Sequence, residues 1–294
     1  MNSQTYCQNL ARKSGSSFYY SFLLLPKVRR RAIIALYAFC REVDDIVDNQ
    51  NNITDASQKL AIWHDYIDNL TNNQNNNPIL NELYYVHQKF NIELEDLQKI
   101  ISGMQMDVNF LQFQTWDDLF KYCDLVAGVV GRISAKIFGY QLHNHEKIAC
   151  YATNLGQALQ LINILRDIQA DAKIGRIYLP RELTNIINCL ANKTLEQQIP
   201  TLLNDLEKND YLVILNNFAK RIENTFSIAD KNLPPEEYKS QMPGIVMGKI
   251  YRKLFIRIKN YQIQGGARLS TFEKIKIIFS QLVFKNGLLN NFYK

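Results

Sequence analysis

The stretch YAFCREVDDIVD, residues 37–48, places acidic side chains inside an otherwise apolar, helix-forming segment. At about 100° per residue, one face of the helix carries a stripe roughly 60° wide. This stripe consists of Tyr37, Arg41, Asp44 and Asp48. The preceding residues, AIIAL, are apolar, so the helix has no fully polar face that could be exposed to solvent. The sequence therefore predicts a largely buried helix that carries an acidic stripe.

A second segment of the same kind is QALQLINILRDIQAD, residues 157–171. One face of its predicted helix carries Gly156, Gln160, Asn163, Asp167 and Asp171. Like charges four residues apart repel by roughly a few tenths of a kcal/mol in water, and by more when they are removed from water. A single Asp-x-x-x-Asp pattern is usually a solvated face, but two such stripes on apolar helices favour a compensating divalent cation.

Magnesium is the cation that this set of ligands favours. Hard oxygen ligands suit Mg²⁺, which keeps several waters and binds through few carboxylates together with substrate phosphates. Two stripes that face each other would therefore hold magnesium ions around a diphosphate. The predicted metal ligands are Asp44, Asp48, Asn163, Asp167 and Asp171. Arg41 and Arg166 would bind diphosphate oxygens, since the guanidinium fork presents several donors in one plane.

Composition indicates an ordinary globular protein. The chain has 294 residues, 47% of them hydrophobic and 21% charged, and no visible linker, so we predict one domain over residues 1–294. Five scattered cysteines without a CxxC pair argue against a zinc site or a disulfide framework. A net charge of +6 is too modest to indicate nucleic acid as a partner. The absence of a run of about 18 apolar residues, and of a signal-peptide core, predicts a cytoplasmic protein.

Helical periodicity continues through the rest of the chain, and no strand pattern, repeat or glycine-rich phosphate loop is visible. The predicted fold is therefore an all-α helical bundle, with Pro200 separating two of its helices. The segment 116–139 is a long apolar helix rich in Gly and Ala, and it places Tyr122, Val126 and Val129 on one stripe. Its small residues either allow close helix packing or leave space for a long hydrocarbon. Residues 271–292 form an apolar face beside lysines, which either docks on the domain or lies on a membrane surface.

Three ordered motifs resemble the squalene and phytoene synthase family of head-to-head isoprenoid synthases. They are DDIVD at 44–48, YCDLVAGVVG at 122–131 and NILRDIQAD at 163–171. The resemblance extends from SGSSFYYSFLLLP at 14–26 to the region of Arg268. It implies the isoprenoid synthase fold with a central active-site cavity. Chain-elongating prenyltransferases and terpene cyclases are an alternative class, but they typically carry DDxxD-type motifs instead.

The resemblance also implies roles for individual residues. The catalytic residues it implies are Asp44, Asp48, Asp167, Asp171, Tyr37 and Tyr122. The substrate-binding residues it implies are Ser14, Ser16, Ser17, Phe18, Tyr37, Arg41, Gln160, Asn163, Arg166, Tyr251 and Arg268. For the serines, capping of a helix is an equally good interpretation. We expect Arg176 and Tyr178 to cover the diphosphate pocket, and Asp107 to have a structural or supporting role.

Within the family, GMQMD at 103–107, GRIYLP at 175–180 and MPGIVMGKIYRKL at 242–254 look most like the bacterial presqualene diphosphate synthases of the hopanoid pathway. This implies condensation of two farnesyl diphosphates with magnesium and without NADPH. Phytoene and dehydrosqualene synthases share most of these motifs. A full NADPH-dependent squalene synthase stays an alternative, since that cofactor need not leave a Rossmann motif. A non-catalytic assembly factor is expected to lose an acidic motif, and both are intact here.

Overall fold

A computed structural model describes residues 2–48, 53–71, 76–261, 267–278 and 280. Over these residues it contains helices and turns but no strand, which confirms the predicted all-helical fold. The helices are α1 (Ser3–Lys13), α2 (Ser17–Phe22), α3 (Lys27–Asp48), α4 (Ile53–Asp68), α5 (Pro78–Phe90), α6 (Leu94–Val108), α7 (Trp116–Cys123), α8 (Val129–Phe138), α9 (His145–Lys173), α10 (Arg181–Thr184), α11 (Leu195–Pro200), α12 (Lys208–Asn232) and α13 (Met242–Tyr261). The first acidic stripe lies on α3 and the second on α9.

Side-chain caps determine where several helices begin. At α1, Asn2 accepts a hydrogen bond of 2.8 Å from the backbone N–H three residues further on. Asn77 caps α5 in the same way, and Pro78 occupies the first turn, where its missing N–H has no intrahelical partner to lose. Thr115 and Asp118 form a reciprocal capping box at the start of α7. Local sequence therefore explains these boundaries without reference to tertiary packing.

The prediction that Pro200 separates two helices is wrong. α11 ends at Pro200, and the chain continues directly as a π-helical turn through residues 201–205. In the π-helical turn the hydrogen bonds join residues five apart, so the α-helical pattern ends at Pro200 while the chain continues in a helical path. Residues 181–193 contain only the four-residue α10 followed by turns.

Two groups of helices form the core, and α8 lies between them. Helices α1 and α3–α6 share one apolar core, which includes Leu36 and Phe39. Helices α7, α9, α12 and α13 share a second, which includes Ile162 and Phe218. Each fully buried side chain of this kind contributes about 1.5–3 kcal/mol relative to an exposed one. Both α3 and α9 pack against α8, so α8 sets the spacing of the two acidic helices.

Glycines allow α8 and α9 to approach closely. A Cβ atom at Gly131 would lie 2.3 Å from the carbonyl oxygen of Ala152, and one at Gly156 would lie 2.3 Å from that of Ala127. Any side chain at these positions would collide with backbone, which cannot move aside as a flexible side chain can. Gly131 therefore lets α9 pack directly against α8, and Gly156 lets it pack against the π-helical turn before α8.

Among the described residues, no helix combines the length and the apolar character needed to span a bilayer. Of the predicted C-terminal helix, residues 271–278 are helical, and the remainder beyond 280 lies outside the described residues. Ile277 and Ile278 pack against the second core, whereas Phe272 is 76% exposed. The described part of this segment thus docks on the bundle and also presents an aromatic ring to solvent.

Candidate active site

An apolar cavity of about 260 Å³ lies between α3, α8, α9 and α13. Its aromatic and aliphatic lining includes Phe18, Tyr37 and Leu159, and small residues on α8 and α9 keep it open. Along α9 the lining runs from Asn163 down to Tyr151, which is about 18 Å at a rise of about 1.5 Å per residue. The cavity is therefore long enough to hold an extended hydrocarbon chain.

The acidic stripes lie just beyond one end of this cavity. Cys40 and Asn163 line its upper part, and Asp44 and Asp167 follow one helical turn later on α3 and α9. The negative charge of Asp48, on α3, contributes to a raised pKa of Asp171, on α9. The structure thus brings the two predicted stripes together, and the charged end of the cavity is its mouth.

The carboxylates at the mouth repel one another. Removal from water raises the pKa of Asp44 from 3.8 to about 7, Asp48 adds to the rise, and Arg41 opposes it. Removal from water likewise raises the pKa of Asp171 to about 7, with a further contribution from Asp167. Both groups are held where an added positive charge would stabilise their ionised forms.

The donor set at the mouth suits magnesium bound together with a diphosphate. Within the described residues, no three His, Cys, Asp or Glu side chains form a cluster that holds a metal alone. Mg²⁺ does not require one, since it takes few carboxylates and completes its shell with water and phosphate oxygens. The Asn163 Oδ1 atom is buried and has no hydrogen-bond partner. An oxygen in that state is available as a ligand, and the repelling carboxylates beside it favour a cation.

Two arginines pair with the acidic stripes. Arg41 donates to Asp45 from Nε at 3.0 Å and to Asp44 from Nη1 at 3.3 Å. Arg166 donates to Asp167 from Nε at 2.8 Å. Each guanidinium has five N–H donors, so each retains capacity for phosphate oxygens at the same place.

Tyr251 approaches the mouth from α13. Its hydroxyl lies beside Asn163 and Arg166, and burial raises its pKa while these neighbours oppose the rise. Its ring lies 6.2 Å from that of Phe18, centroid to centroid. Tyr251 is therefore placed where its hydroxyl can meet a diphosphate held by α9.

A further carboxylate, that of Asp107, lies close to the stripes. Asp107 is 7% exposed and accepts hydrogen bonds from the hydroxyls of Tyr122, at 2.9 Å, and Tyr178, at 2.7 Å. Its charge contributes to the raised pKa values of both Asp44 and Asp171, so it lies within electrostatic reach of both helices. Burial raises the pKa of Asp107 itself, and the two hydroxyls oppose that rise.

The predicted stripe of Tyr122, Val126 and Val129 is wrong. A π-helical turn at 124–128 separates α7 from α8 and shifts the face that each side chain occupies. Val126 lines the cavity, whereas Val129 is buried in the first core. Tyr122 is buried beside Phe113 and Tyr178 and is not among the cavity-lining residues.

Several other predicted site residues do not line the cavity. Arg268 is exposed, and its backbone carbonyl accepts a hydrogen bond from Arg257. Ser14 donates to the carbonyl of Ala11, and Ser16 accepts from the N–H of Phe18, as expected for helix caps. The side chain of Ser17 lies outside the described part of the structure. Gln160 and Phe18, in contrast, line the cavity, and their substrate-binding role stays a prediction.

Arg176 bonds to the end of α3 beside the mouth. From the segment after α9 it donates to Asp48 Oδ1 at 3.2 Å and to the carbonyl of Val47 at 3.3 Å. Its side chain is 13% exposed. Arg176 therefore links the exit of α9 to the end of α3, and the prediction that Arg176 and Tyr178 cover a diphosphate stays a prediction.

Sequence reasoning missed the far end of the cavity. Tyr151 and Gln241 line it there, and neither belongs to an acidic motif. Gln241 precedes α13 in a turn, where no helical periodicity marks it. Only the tertiary arrangement reveals these two residues.

The squalene/phytoene synthase family profile matches residues 11–272. A presqualene diphosphate synthase of Sinorhizobium fredii is 43% identical over 169 residues, which are 57% of this chain and 59% of that protein. A chloroplastic phytoene synthase of an Oncidium hybrid cultivar is 28% identical over 273 residues, 92% of this chain and 64% of that protein. These matches span about three fifths of each relative's length. A crystal structure of a dehydrosqualene synthase with ligand has a TM-score of 0.80 at 24% identity, covering 97% of both chains.

Proposed function

Because the chain belongs to the squalene/phytoene synthase family, we propose that it condenses two farnesyl diphosphates head to head to presqualene diphosphate and releases diphosphate. The observation that carries the proposal is an apolar cavity about 18 Å deep with two facing acidic stripes at its mouth. The presqualene diphosphate synthase of Sinorhizobium fredii supports this choice of substrate and product.

In this proposal the mouth holds Mg²⁺ and diphosphate. The ligands would be Asp44, Asp48, Asn163, Asp167 and Asp171. When bound, Mg²⁺ supplies Lewis acidity that withdraws charge from the departing diphosphate. Arg41, Arg166 and Tyr251 bind diphosphate oxygens, which fixes the reacting carbon at the top of the cavity.

The cavity then protects the allylic cation that remains when the carbon–oxygen bond breaks. Apolar walls exclude water, and the ring faces of Tyr37 and Phe18 stabilise positive charge without forming a bond to it. Tyr122 would act on this region indirectly, because its hydroxyl donates a hydrogen bond to Asp107. The double bond of the second substrate attacks the cation, and loss of one proton closes the cyclopropane. The released diphosphate is the proposed base, so no histidine is required.

A contact with lipid belongs to the same proposal. We place the chain in the cytoplasm, at the inner face of the membrane, with the exposed Phe272 and neighbouring lysines of 271–278 towards the lipid. Flotation with anionic vesicles tests this, and Phe272→Ser should reduce the bound fraction. Equal binding of the variant would contradict the contact.

Phytoene synthesis is the second candidate. The match to the Oncidium phytoene synthase covers 92% of this chain and favours it. The two candidates differ in the chain length of the substrate, C15 against C20. NADPH-dependent squalene formation is a further outcome that the same assay detects.

The test is incubation of the protein with farnesyl diphosphate and Mg²⁺, without and then with NADPH, followed by mass spectrometry of the lipids. We expect a cyclopropyl C30 diphosphate under both conditions. Squalene that appears only with NADPH would identify a full squalene synthase. Turnover of geranylgeranyl diphosphate alone would identify phytoene synthesis, and no turnover of either would favour an inactive relative that acts in assembly.

Asp167→Ala is the variant expected to be inactive. It should abolish turnover while far-UV circular dichroism stays that of the wild type, because the charge lies at a cavity mouth and not in a core. Asp205→Asn, an exposed aspartate distant in sequence from both stripes, is the control and should keep full activity. An active Asp167→Ala would refute the metal assignment.

A further inference from the structure

We propose that the guanidinium of Arg176 is the counter-ion of the metal-free mouth and competes electrostatically with Mg²⁺ there, an inference that rests on the proposed function. Arg176 follows the end of α9 and reaches the end of α3. It thus lies where the two acidic stripes end. This role differs from that of a diphosphate ligand, because it is exercised before any ligand binds.

The backbone at the exit of α9 determines where Arg176 lies. Gly175 has a φ of +83°, in the left-handed region that glycine favours, and its N–H donates to the carbonyl of Ala172 at 3.0 Å. The N–H of Arg176 donates to the carbonyl of Asp171 at 2.9 Å. These bonds turn the chain back against the last turn of α9. Arg176 is therefore held beside Asp171, the last residue of the second stripe.

The chain that follows Arg176 is also anchored. The hydroxyl of Tyr178 donates to Asp107 at 2.7 Å. The backbone N–H of Arg181 donates to the carbonyl of Phe113 at 2.7 Å. Hydrogen bonds on both sides of Arg176 thus hold its backbone in one place.

From this position the side chain of Arg176 links the ends of two helices. Its Nη1 donates to Asp48 Oδ1 at 3.2 Å, and its Nη2 donates to the carbonyl of Val47 at 3.3 Å. The side chain of Arg176 is 13% exposed, whereas that of Asp48 is 45% exposed. A guanidinium so far removed from water requires negative charge nearby. The end of α3 supplies part of that charge.

Two further carboxylates lie within electrostatic reach of this guanidinium. Removal from water raises the pKa of Asp171, repulsion by Asp167 adds to the rise, and Arg176 opposes it. Removal from water also raises the pKa of Asp107, and the Tyr178 hydroxyl and Arg176 oppose that rise. Together with the hydrogen bond to the end of α3, one guanidinium thus offsets part of the charge of three carboxylates.

Its place between helices distinguishes Arg176 from the other two arginines of the mouth. Arg41 pairs with carboxylates of its own helix, α3, and Arg166 pairs with Asp167 on its own helix, α9. Arg176 instead carries positive charge from the exit of α9 to the end of α3. It therefore offsets the repulsion that acts between the two stripes.

A counter-ion at this place lowers the affinity of the mouth for a cation alone. A metal ion is attracted by the carboxylates and repelled by the guanidinium beside them. Diphosphate brings negative charge together with the metal, so that its complex is attracted by Arg176 as well. The arrangement thus favours binding of metal and diphosphate together over binding of metal alone.

The test is Arg176→Gln, which removes the charge and keeps N–H donors. Mn²⁺ takes the same hard oxygen ligands as Mg²⁺, and electron paramagnetic resonance of the free ion gives its Kd without diphosphate. We expect the Kd to fall about threefold to tenfold, because one opposing charge is removed. In EDTA the variant should have a Tm about 2 °C lower. An unchanged or higher Kd would overturn the proposal even if the Tm falls, since Arg176 would then be a structural link only.

Three other variants are controls. Arg176→Lys keeps the charge and should have a Kd within twofold of the wild type; a Kd as low as that of Arg176→Gln would overturn a role of charge. Arg176→Ala is a second neutral variant, in case Arg176→Gln does not fold. Arg252→Gln removes an arginine that also joins two helices, through bonds of 2.8 and 2.7 Å to Asp230. It should leave the Kd unchanged, and an equal fall would mean that net charge alone suffices, which overturns the proposal.

Further outcomes separate this proposal from the proposed function. If the proteins bind Mn²⁺ as expected but the wild type does not turn over farnesyl diphosphate, the proposed reaction fails and the counter-ion stands. If neither the wild type nor the neutral variants bind Mn²⁺, the counter-ion fails, and turnover still decides the reaction. If Asp167→Ala binds Mn²⁺ as the wild type does, the mouth is not the metal site and both proposals fail.

Discussion

Replacing Asp44 by asparagine should stabilise the metal-free protein at pH 8 while it abolishes the proposed activity. The native state holds the proton of Asp44 more tightly than the unfolded chain does, because its pKa rises from 3.8 to about 7 on folding. Unfolding therefore becomes easier as the pH rises from about 4 to about 7, and this destabilisation is complete above pH 7. Asparagine keeps the shape of the side chain and removes the charge.

The size of the effect follows from the shift and from the exposure of the carboxylate. A shift of about three units would correspond to about 4 kcal/mol for a fully shielded group. The shift comes first from removal of Asp44 from water and then from repulsion by Asp48, and because the side chain is 44% exposed, solvent reduces both effects. The variant also loses the Arg41 contact. We expect a net gain of about 1 kcal/mol in the free energy of unfolding, or about 2 °C in Tm.

Urea denaturation in EDTA, at pH 4 and at pH 8, measures this gain for the variant against the wild type. The gain should be present at pH 8 and nearly absent at pH 4, where Asp44 is neutral in the native state. Added Mg²⁺ and diphosphate should stabilise the wild type at pH 8 and stabilise the variant less, since ligands stabilise the state that binds them. Asp205→Asn, an exposed aspartate with no part in the cluster, should show no gain at either pH.

Two results would refute this reasoning. A variant that is less stable than the wild type at pH 8 would mean that Asp44 is already compensated within the protein. An equal gain at pH 4 and pH 8 would mean that the effect is steric or due to helix propensity, and that the carboxylates do not repel one another as the structure indicates.

Three further substitutions test other contacts. Asp107→Asn leaves one of two tyrosine hydroxyls without an acceptor, so it should lower kcat by about tenfold to a hundredfold with little change in circular dichroism. Initial rates measure this, and an unchanged kcat would exclude a positioning role for Asp107. Arg176→Ala breaks the 3.2 Å bond to Asp48 and should raise the share of farnesol among the products, because water then reaches the allylic cation. Gas chromatography measures this share, and an unaltered share would refute a role of Arg176 in excluding water. Gly131→Ala places a Cβ atom 2.3 Å from the carbonyl of Ala152 and should cost about 1–3 kcal/mol of stability; a melting temperature equal to that of the wild type would show a looser α8–α9 contact.

Helical periodicity predicts the acidic part of the site well. It places Asp44 and Asp48 on one face of α3, and Asp167 and Asp171 on one face of α9, because backbone geometry alone determines which residues of a helix share a face. The apolar context of both segments predicts that these faces point inward. The two stripes face each other because α3 and α9 both pack on α8, and helical periodicity does not predict that packing.

The remaining site depends on contacts between residues distant in the chain. Tyr178 reaches Asp107 across 71 positions, and Arg176 reaches Asp48 across 128. No local pattern signals such pairs, since each depends on how separate helices pack. Tyr122 shows a different limit: the π-helical turn that follows it changes the angle between successive side chains, so a stripe drawn at 3.6 residues per turn does not continue through it.

Under the proposed function, the carboxylates whose burial and mutual repulsion destabilise the metal-free protein would also give the mouth its affinity for a cation with its diphosphate. Repulsion among the carboxylates would relax if α3 and α9 could separate, but both pack against α8, and Gly131 and Gly156 let α9 pack closely on α8 and on the turn before it. The repulsion is therefore retained in the folded state, and binding of positive charge would remove it. Residues whose interactions oppose folding are expected at functional sites for this reason. Substitutions that relieve the repulsion should consequently increase stability and remove activity together.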